Sequence, residues 1–178
     1  VVVVHHDELA AGLALASADW ADVSAIRLAG GARIPRLEDV LTTVAGEATV
    51  YIELKGRDVE AAALDIARRH GKRYAVHSFD HAAVERARAL APEVPRGVLL
   101  DRGTADPIMA MEVACRRVAP RDVWPHSSLV DAAFMKAAAT LSVRVIVWTV
   151  NSRSEAARLN DLGVAGLCTD DVRILANP

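Results

Sequence analysis

The sequence predicts an α/β fold on parallel strands, arranged as a TIM-type (β/α) barrel. Three observations predict it. Short β-branched runs alternate with longer stretches of helical period along the whole chain. The composition is 52% hydrophobic but only 4% aromatic, the aliphatic mixture that suits parallel strands covered on both faces. Finally, nearly every strand candidate ends in a polar residue, and no strand-to-helix junction carries the Gly-x-Gly-x-x-Gly turn of an open dinucleotide-binding sheet.

In chain order the strand candidates are Val1 to His6, Val50 to Lys55, Tyr74 to Ser78, Arg96 to Leu100, Asp122 to His126, Val143 to Val150 and Gly166 to Thr169. Between them apolar residues recur near every 3.6 positions, as in Val59, Ala62, Ala63, Ile66 and Ala67, which marks crossover helices. Asp80 is placed to cap the helix after its strand. Ser152, with Glu155 three residues on, forms a capping box for a helix running to Leu162. The polar strand ends are His6 and Asp7, Glu53 and Lys55, His77 and Ser78, Asp101, His126, Thr149 and Asn151, and Thr169 and Asp170. Strand ends are commonly more polar than strand middles, but seven together describe the rim of a barrel.

The chain of 178 residues makes one domain with a real core. A formal net charge of −2 and scattered arginines give no basic field, so nucleic acid is not an expected partner. No apolar run reaches the roughly 18 to 20 residues of a transmembrane segment. Cys115 and Cys168 lack metal-binding spacing and are expected as free, buried thiols, which suits a reducing cytoplasm.

His6 closes a four-valine run and is the acid/base candidate, since an imidazole titrates near neutrality. Glu53 and Lys55 lie two apart on one strand and share its inner face. Charges inside a barrel imply a mutual ion pair, work on a ligand, or both. As a site, Glu53 offers a hard oxygen to Mg²⁺ or Ca²⁺ and Lys55 a point charge to a phosphate oxygen. Trp148 shares a face with Ile146 and Val150 and is either core filler or a pocket wall.

Six segments then fall in one order: His5-His6-Asp7, Ile34-Pro35-Arg36-Leu37-Glu38-Asp39-Val40-Leu41, Ile52-Glu53-Leu54-Lys55, Ser78-Phe79-Asp80, Val147-Trp148-Thr149-Val150-Asn151, and Gly163 to Asp170. In that order and spacing the chain resembles the glycerophosphodiester phosphodiesterase family over nearly its whole length. The resemblance implies a barrel that hydrolyses glycerophosphodiesters to glycerol 3-phosphate and an alcohol, assisted by a divalent cation, through a cyclic phosphate intermediate. By the same likeness His6 matches the second catalytic histidine, Glu53 a metal ligand, Lys55 a phosphate-binding lysine, and Trp148 a substrate-pocket aromatic. His126 falls where the family often keeps a polar residue and is carried over as substrate-binding.

The chain departs from the family pattern in lacking any His-Arg pair and any Glu-x-Asp, which supply the first histidine, a clamping arginine and two metal carboxylates. The Ala/Leu-rich stretch from Glu8 to Ala18 also differs, which leaves the lid and substrate choice open. One carboxylate makes a poor magnesium site. A barrel without its first strands would expose two apolar edges and invite pairing with a second chain, as in a homo-oligomer. The expectation is that the native polypeptide extends upstream by one or two βα units, roughly 20 to 25 residues each. Two other functions remain open: a noncatalytic or incomplete relative, and another barrel enzyme acting on phosphorylated small molecules.

Overall fold

The computed structural model describes residues 2–3 and 14–175. Six parallel strands form one sheet in consecutive order: β1 (Val50–Glu53), β2 (Tyr74–Ser78), β3 (Arg96–Leu100), β4 (Asp122–Pro125), β5 (Arg144–Val147) and β6 (Gly166–Leu167). Helices α1 (Trp20–Ala25) and α2 (Leu37–Val44) precede the sheet. Helices α3 (Glu60–His70), α4 (His81–Leu90), α5 (Pro107–Val118), α6 (Ala132–Thr140) and α7 (Arg153–Asp161) fill the crossovers. Consecutive order with one helix per crossover makes a half-barrel, because each right-handed βα step adds its strand on the same side. Six of the seven expected strands are therefore present. The first, Val1 to His6, lies outside the described residues except for Val2 and Val3, and Val3 makes an isolated antiparallel bridge to Arg36.

Alternation along each strand sorts the side chains between two sides of the sheet. Ile52, Leu54 and Val76 pack outward on Leu37 and Leu41 of α2, Ala63, Leu64 and Ala67 of α3, and Ala83 and Ala87 of α4. Val98, Leu100, Val123, Val145 and Val147 pack outward on Met111, Phe134, Ala138 and Leu159. The inner face carries a separate, aromatic cluster of Leu99, Trp124 and Ile146 with Tyr51 and Trp148. Trp148 thus shares the face of Ile146 as expected. Val150 does not: it is fully buried on the helix side, because β5 ends at Val147 and strict alternation stops there.

Each crossover helix after β2 to β5 begins with a side-chain cap, two of them expected from the sequence (Asp80 and Ser152) and two, Asp106 and Asp131, found in the structure. Asp80 accepts from the Ala82 N–H, Asp106 from Met109, Asp131 from Phe134 and Ser152 from Glu155, at 2.9, 2.9, 2.8 and 3.2 Å. These caps anchor the loops that leave the C-terminal ends of the strands.

At the opposite end the inner face closes with charge. Asp122 is fully buried, paired with Arg121 (Nη2, 2.7 Å) and Arg144 (Nε, 2.8 Å). Tyr51 Oη donates to Asp122 Oδ2 at 3.3 Å and accepts from Arg121 Nη2 at 2.8 Å, tying β1 to β4 and β5. Among the described residues no helix is long and apolar enough to cross a membrane. Both cysteines are free, but neither is buried: Cys115 is half-buried on α5 and Cys168 is exposed. The two-residue β6 ends the described sheet and leaves Cys168 just beyond its cover.

Candidate active site at the C-terminal rim

The rim is built from the last residue of each strand and the loop beyond it. β1 ends at Glu53, whose carboxylate faces inward with Oε1 3.5 Å from Lys55 Nζ; the side chains are 28% and 32% exposed. The expected ion pair therefore forms. It leaves Glu53 Oε1 buried and without a hydrogen-bond donor among the described residues, so the carboxylate retains capacity for a ligand.

Beside it stands His77, a residue the sequence offered only as a polar strand end. Parallel register pairs Glu53 with His77, so both project into the interior from adjacent strands. The imidazole is 7% exposed and its ring centroid lies 4.7 Å from that of Trp124 and 5.8 Å from that of Tyr51. Burial pushes its pKa down to about 4, opposed by Asp122 and aided by Lys55, so it is neutral at physiological pH. The register that joins it to Glu53 is a tertiary fact with no local sequence signal.

On the far side of the rim Trp148 is fixed by its indole N–H, which donates to the Trp124 carbonyl at 2.8 Å. Its ring meets Phe79 and His126 edge-on, with centroids at 5.3 and 5.2 Å. Phe79 was legible as part of Ser78-Phe79-Asp80 but without a role; it is 43% exposed and opens onto a cleft of about 550 Å³ lined also by His81, Leu99, Asp101 and Thr104.

His126 comes directly after β4, and its Nδ1 accepts from the Ser128 backbone N–H at 3.2 Å. An amide can only donate, so Nδ1 is the acceptor, the Ser128 hydroxyl 2.8 Å away donates to it as well, and the ring proton of the neutral form resides on Nε2. Arg158 holds the turn below by donating to the carbonyls of Ser127 and Val130 while pairing with Glu155. Asn151 and Asp170 clasp the last two rim loops, with Asn151 Nδ2 donating to Asp170 Oδ2 at 2.7 Å.

The structure thus joins Glu53 to Lys55, and Trp148 to His126, as two groups on one rim. No hydrogen bond or ion pair links the two groups among the described residues. His6 lies outside those residues. No cluster of three His, Cys, Asp or Glu side chains suited to a metal occurs among the described residues.

Inward-facing polar groups gathered at the C-terminal end of a parallel (β/α) half-barrel define a barrel enzyme site. Comparison assigns the family: residues 1–174 match the model of the glycerophosphoryl diester phosphodiesterase family, and the chain belongs to it. The members of that family are phosphoric diester hydrolases. A relative from Mycobacterium tuberculosis, named "Probable glycerophosphodiester phosphodiesterase 2", is 27% identical over 98% of this chain and 72% of its own. Among solved structures, an Oleispira antarctica phosphodiesterase in complex with the product sn-glycerol-3-phosphate superposes with a TM-score of 0.82 at 20% identity, covering 94% of this chain and 75% of that one. A Silicibacter pomeroyi homologue of the same family is 27% identical with a TM-score of 0.69, covering 82% of this chain and 57% of that one. The chain therefore spans little more than half the length of the latter.

Proposed function

We propose that this chain binds a glycerophosphodiester across the C-terminal rim and contributes residues to its hydrolysis to glycerol 3-phosphate and an alcohol. The observation that carries the reading is the inward Glu53–Lys55 pair at the end of β1. It sets a cation beside a carboxylate whose buried Oε1 has no hydrogen-bond donor among the described residues. Lys55 places a point charge against a phosphoryl oxygen and offsets the charge that grows there in the transition state. His126 donates its Nε2 proton in a hydrogen bond to a second oxygen, held in that tautomer by Ser128. Trp148 and Phe79 supply an apolar wall for the glycerol carbons. His6, by family likeness, gives a proton to the leaving alcohol and takes one back.

A divalent cation, Mg²⁺ or Ca²⁺, belongs to this reading through Glu53, whose hard Oε1 suits either ion. When bound, it would polarise the phosphoryl oxygens. Glu53 supplies one ligand only, and the remaining ones are not among the described residues. A second reading is a relative that binds the substrate without cutting it, which absence of His-Arg and Glu-x-Asp from the full gene product would favour.

Release of glycerol 3-phosphate from glycerophosphocholine, assayed with and without EDTA and with His6→Ala as control, separates the two. Metal-dependent release lost in the control supports the hydrolase. Binding of the diester without release, at any metal concentration, supports the noncatalytic relative.

A further inference from the structure

Below the rim, three polar side-chain atoms are buried with no hydrogen-bond partner among the described residues: Glu53 Oε1, His77 Nδ1 and Trp124 Nε1. Asp122 Oδ1, deeper in the interior, likewise lacks a hydrogen-bond partner but is closely paired with Arg144 Nε at 2.8 Å, whereas Glu53 Oε1 has the longer 3.5 Å ion pair with Lys55 Nζ. The three come from β1, β2 and β4, on the inner face of the sheet. Glu53 and His77 are register partners, and His77 is in turn the register partner of Gly97 on β3. The Trp124 indole lies over Gly97, where a Cβ would stand 3.0 Å from Nε1; glycine is what admits the indole nitrogen there. The His77 and Trp124 ring centroids are 4.7 Å apart.

Buried polar atoms left unpaired are costly and are usually met by a partner or an ordered water. Here the three are chemically complementary to one small molecule. An indole N–H can only donate, a carboxylate oxygen can only accept, and a neutral imidazole nitrogen can do either. A water that accepts from Trp124 and donates to Glu53 and His77 satisfies all three, with the three bonds typical of an interior water.

We propose that Glu53 Oε1, His77 Nδ1 and Trp124 Nε1 form a water-binding site beneath the rim, and that His77 and Trp124 act through it as positioning residues for the Glu53 carboxylate. The functional weight of that positioning rests on Glu53 serving the hydrolase site; the water site itself does not. The test is a high-resolution crystal structure of the full chain, without added divalent metal, alongside His77→Phe, His77→Asn and Trp124→Phe. Wild type is expected to show an ordered peak within hydrogen-bond distance of all three atoms. His77→Phe is expected to lose it and to let the Glu53 carboxylate turn away. His77→Asn, which keeps a polar atom near the position of Nδ1, is expected to restore both. Trp124→Phe is expected to weaken the peak without emptying the site. No peak in wild type, or a peak and a Glu53 orientation unchanged in His77→Phe, overturns the proposal. Because density is read without turnover or metal, failure here is distinguishable from failure of the hydrolase reading.

Discussion

The two ends of the barrel interior use similar residues to opposite effect. At the floor, Asp122 is fully buried yet met by Arg121, Arg144 and the Tyr51 hydroxyl. Near the rim, His77 and Trp124 are buried and Glu53 is partly so, and each keeps an atom without a hydrogen-bond partner among the described residues. A carboxylate gripped by two close guanidinium groups stabilises and has little left to offer a ligand; one with a single, longer ion pair and unpaired polar neighbours costs stability and retains valence for chemistry. The contrast matches the general division of such barrels between a stability face and an active face.

Substitution at the floor strikes stability hardest. Asp122→Ala removes the buried acceptor shared by Arg121, Arg144 and the Tyr51 hydroxyl and leaves a polar void, and is expected to cost about 3 to 5 kcal/mol, a large share of a typical domain's stability, read as a drop in urea midpoint. Lys55→Ala is expected to do the reverse. It should lower kcat/KM on a glycerophosphodiester by roughly 10² to 10³, about 3 to 4 kcal/mol of transition-state stabilisation, with the melting temperature almost unmoved.

Titration of His77 probes the same division from the rim side. Its folded pKa, about 4, lies below the unfolded value of 6.5, so the unfolded chain binds the proton first on acidification. The stability from keeping this ring neutral is complete above pH 6.5 and is lost as pH falls toward 4, by up to about 3 kcal/mol. Urea unfolding from about pH 7.5 to 4 checks it, and His77→Asn should flatten that part of the profile.

Smaller effects lie outside the interior. Asp131→Ala removes the cap on the Phe134 N–H at the start of α6 and is expected to cost about 1 kcal/mol. Ala119 ends α5 at φ 44°, in the left-handed region, and Ala119→Gly is expected to gain about 1 kcal/mol or less. Thermal melts resolve both, and neither should alter turnover.

Much of this protein was legible before folding. The strands β2 and β3 fall on the expected residues and Asp80 caps its helix as expected, because period and capping are local properties. At Ser152 only half of the expected capping box forms: Ser152 accepts from the Glu155 N–H, but the Glu155 carboxylate is taken by Arg158. The Glu53–Lys55 pair was legible too, since residues two apart on a strand must share a face. His77 was visible only as one polar end among seven, because nothing local reports that register sets it beside Glu53. The cysteines were misplaced for a similar reason: an apolar stretch such as Gly166 to Cys168 reads as buried, whereas cover depends on what packs over the last strand.

Local pattern in the chain was enough to set the order of elements, the sorting of apolar residues to the helix side, and the candidate pair at the end of β1. These depend on backbone periods of about 2 and 3.6 and on contacts a few residues apart. Folding alone settled which inner side chains meet across strands: Tyr51 and Arg121 around Asp122 at the floor, and His77 and Trp124 beneath Glu53 at the rim. Those contacts join residues roughly 25 to 70 positions apart, whose meeting is fixed by strand register and barrel curvature rather than by any local preference.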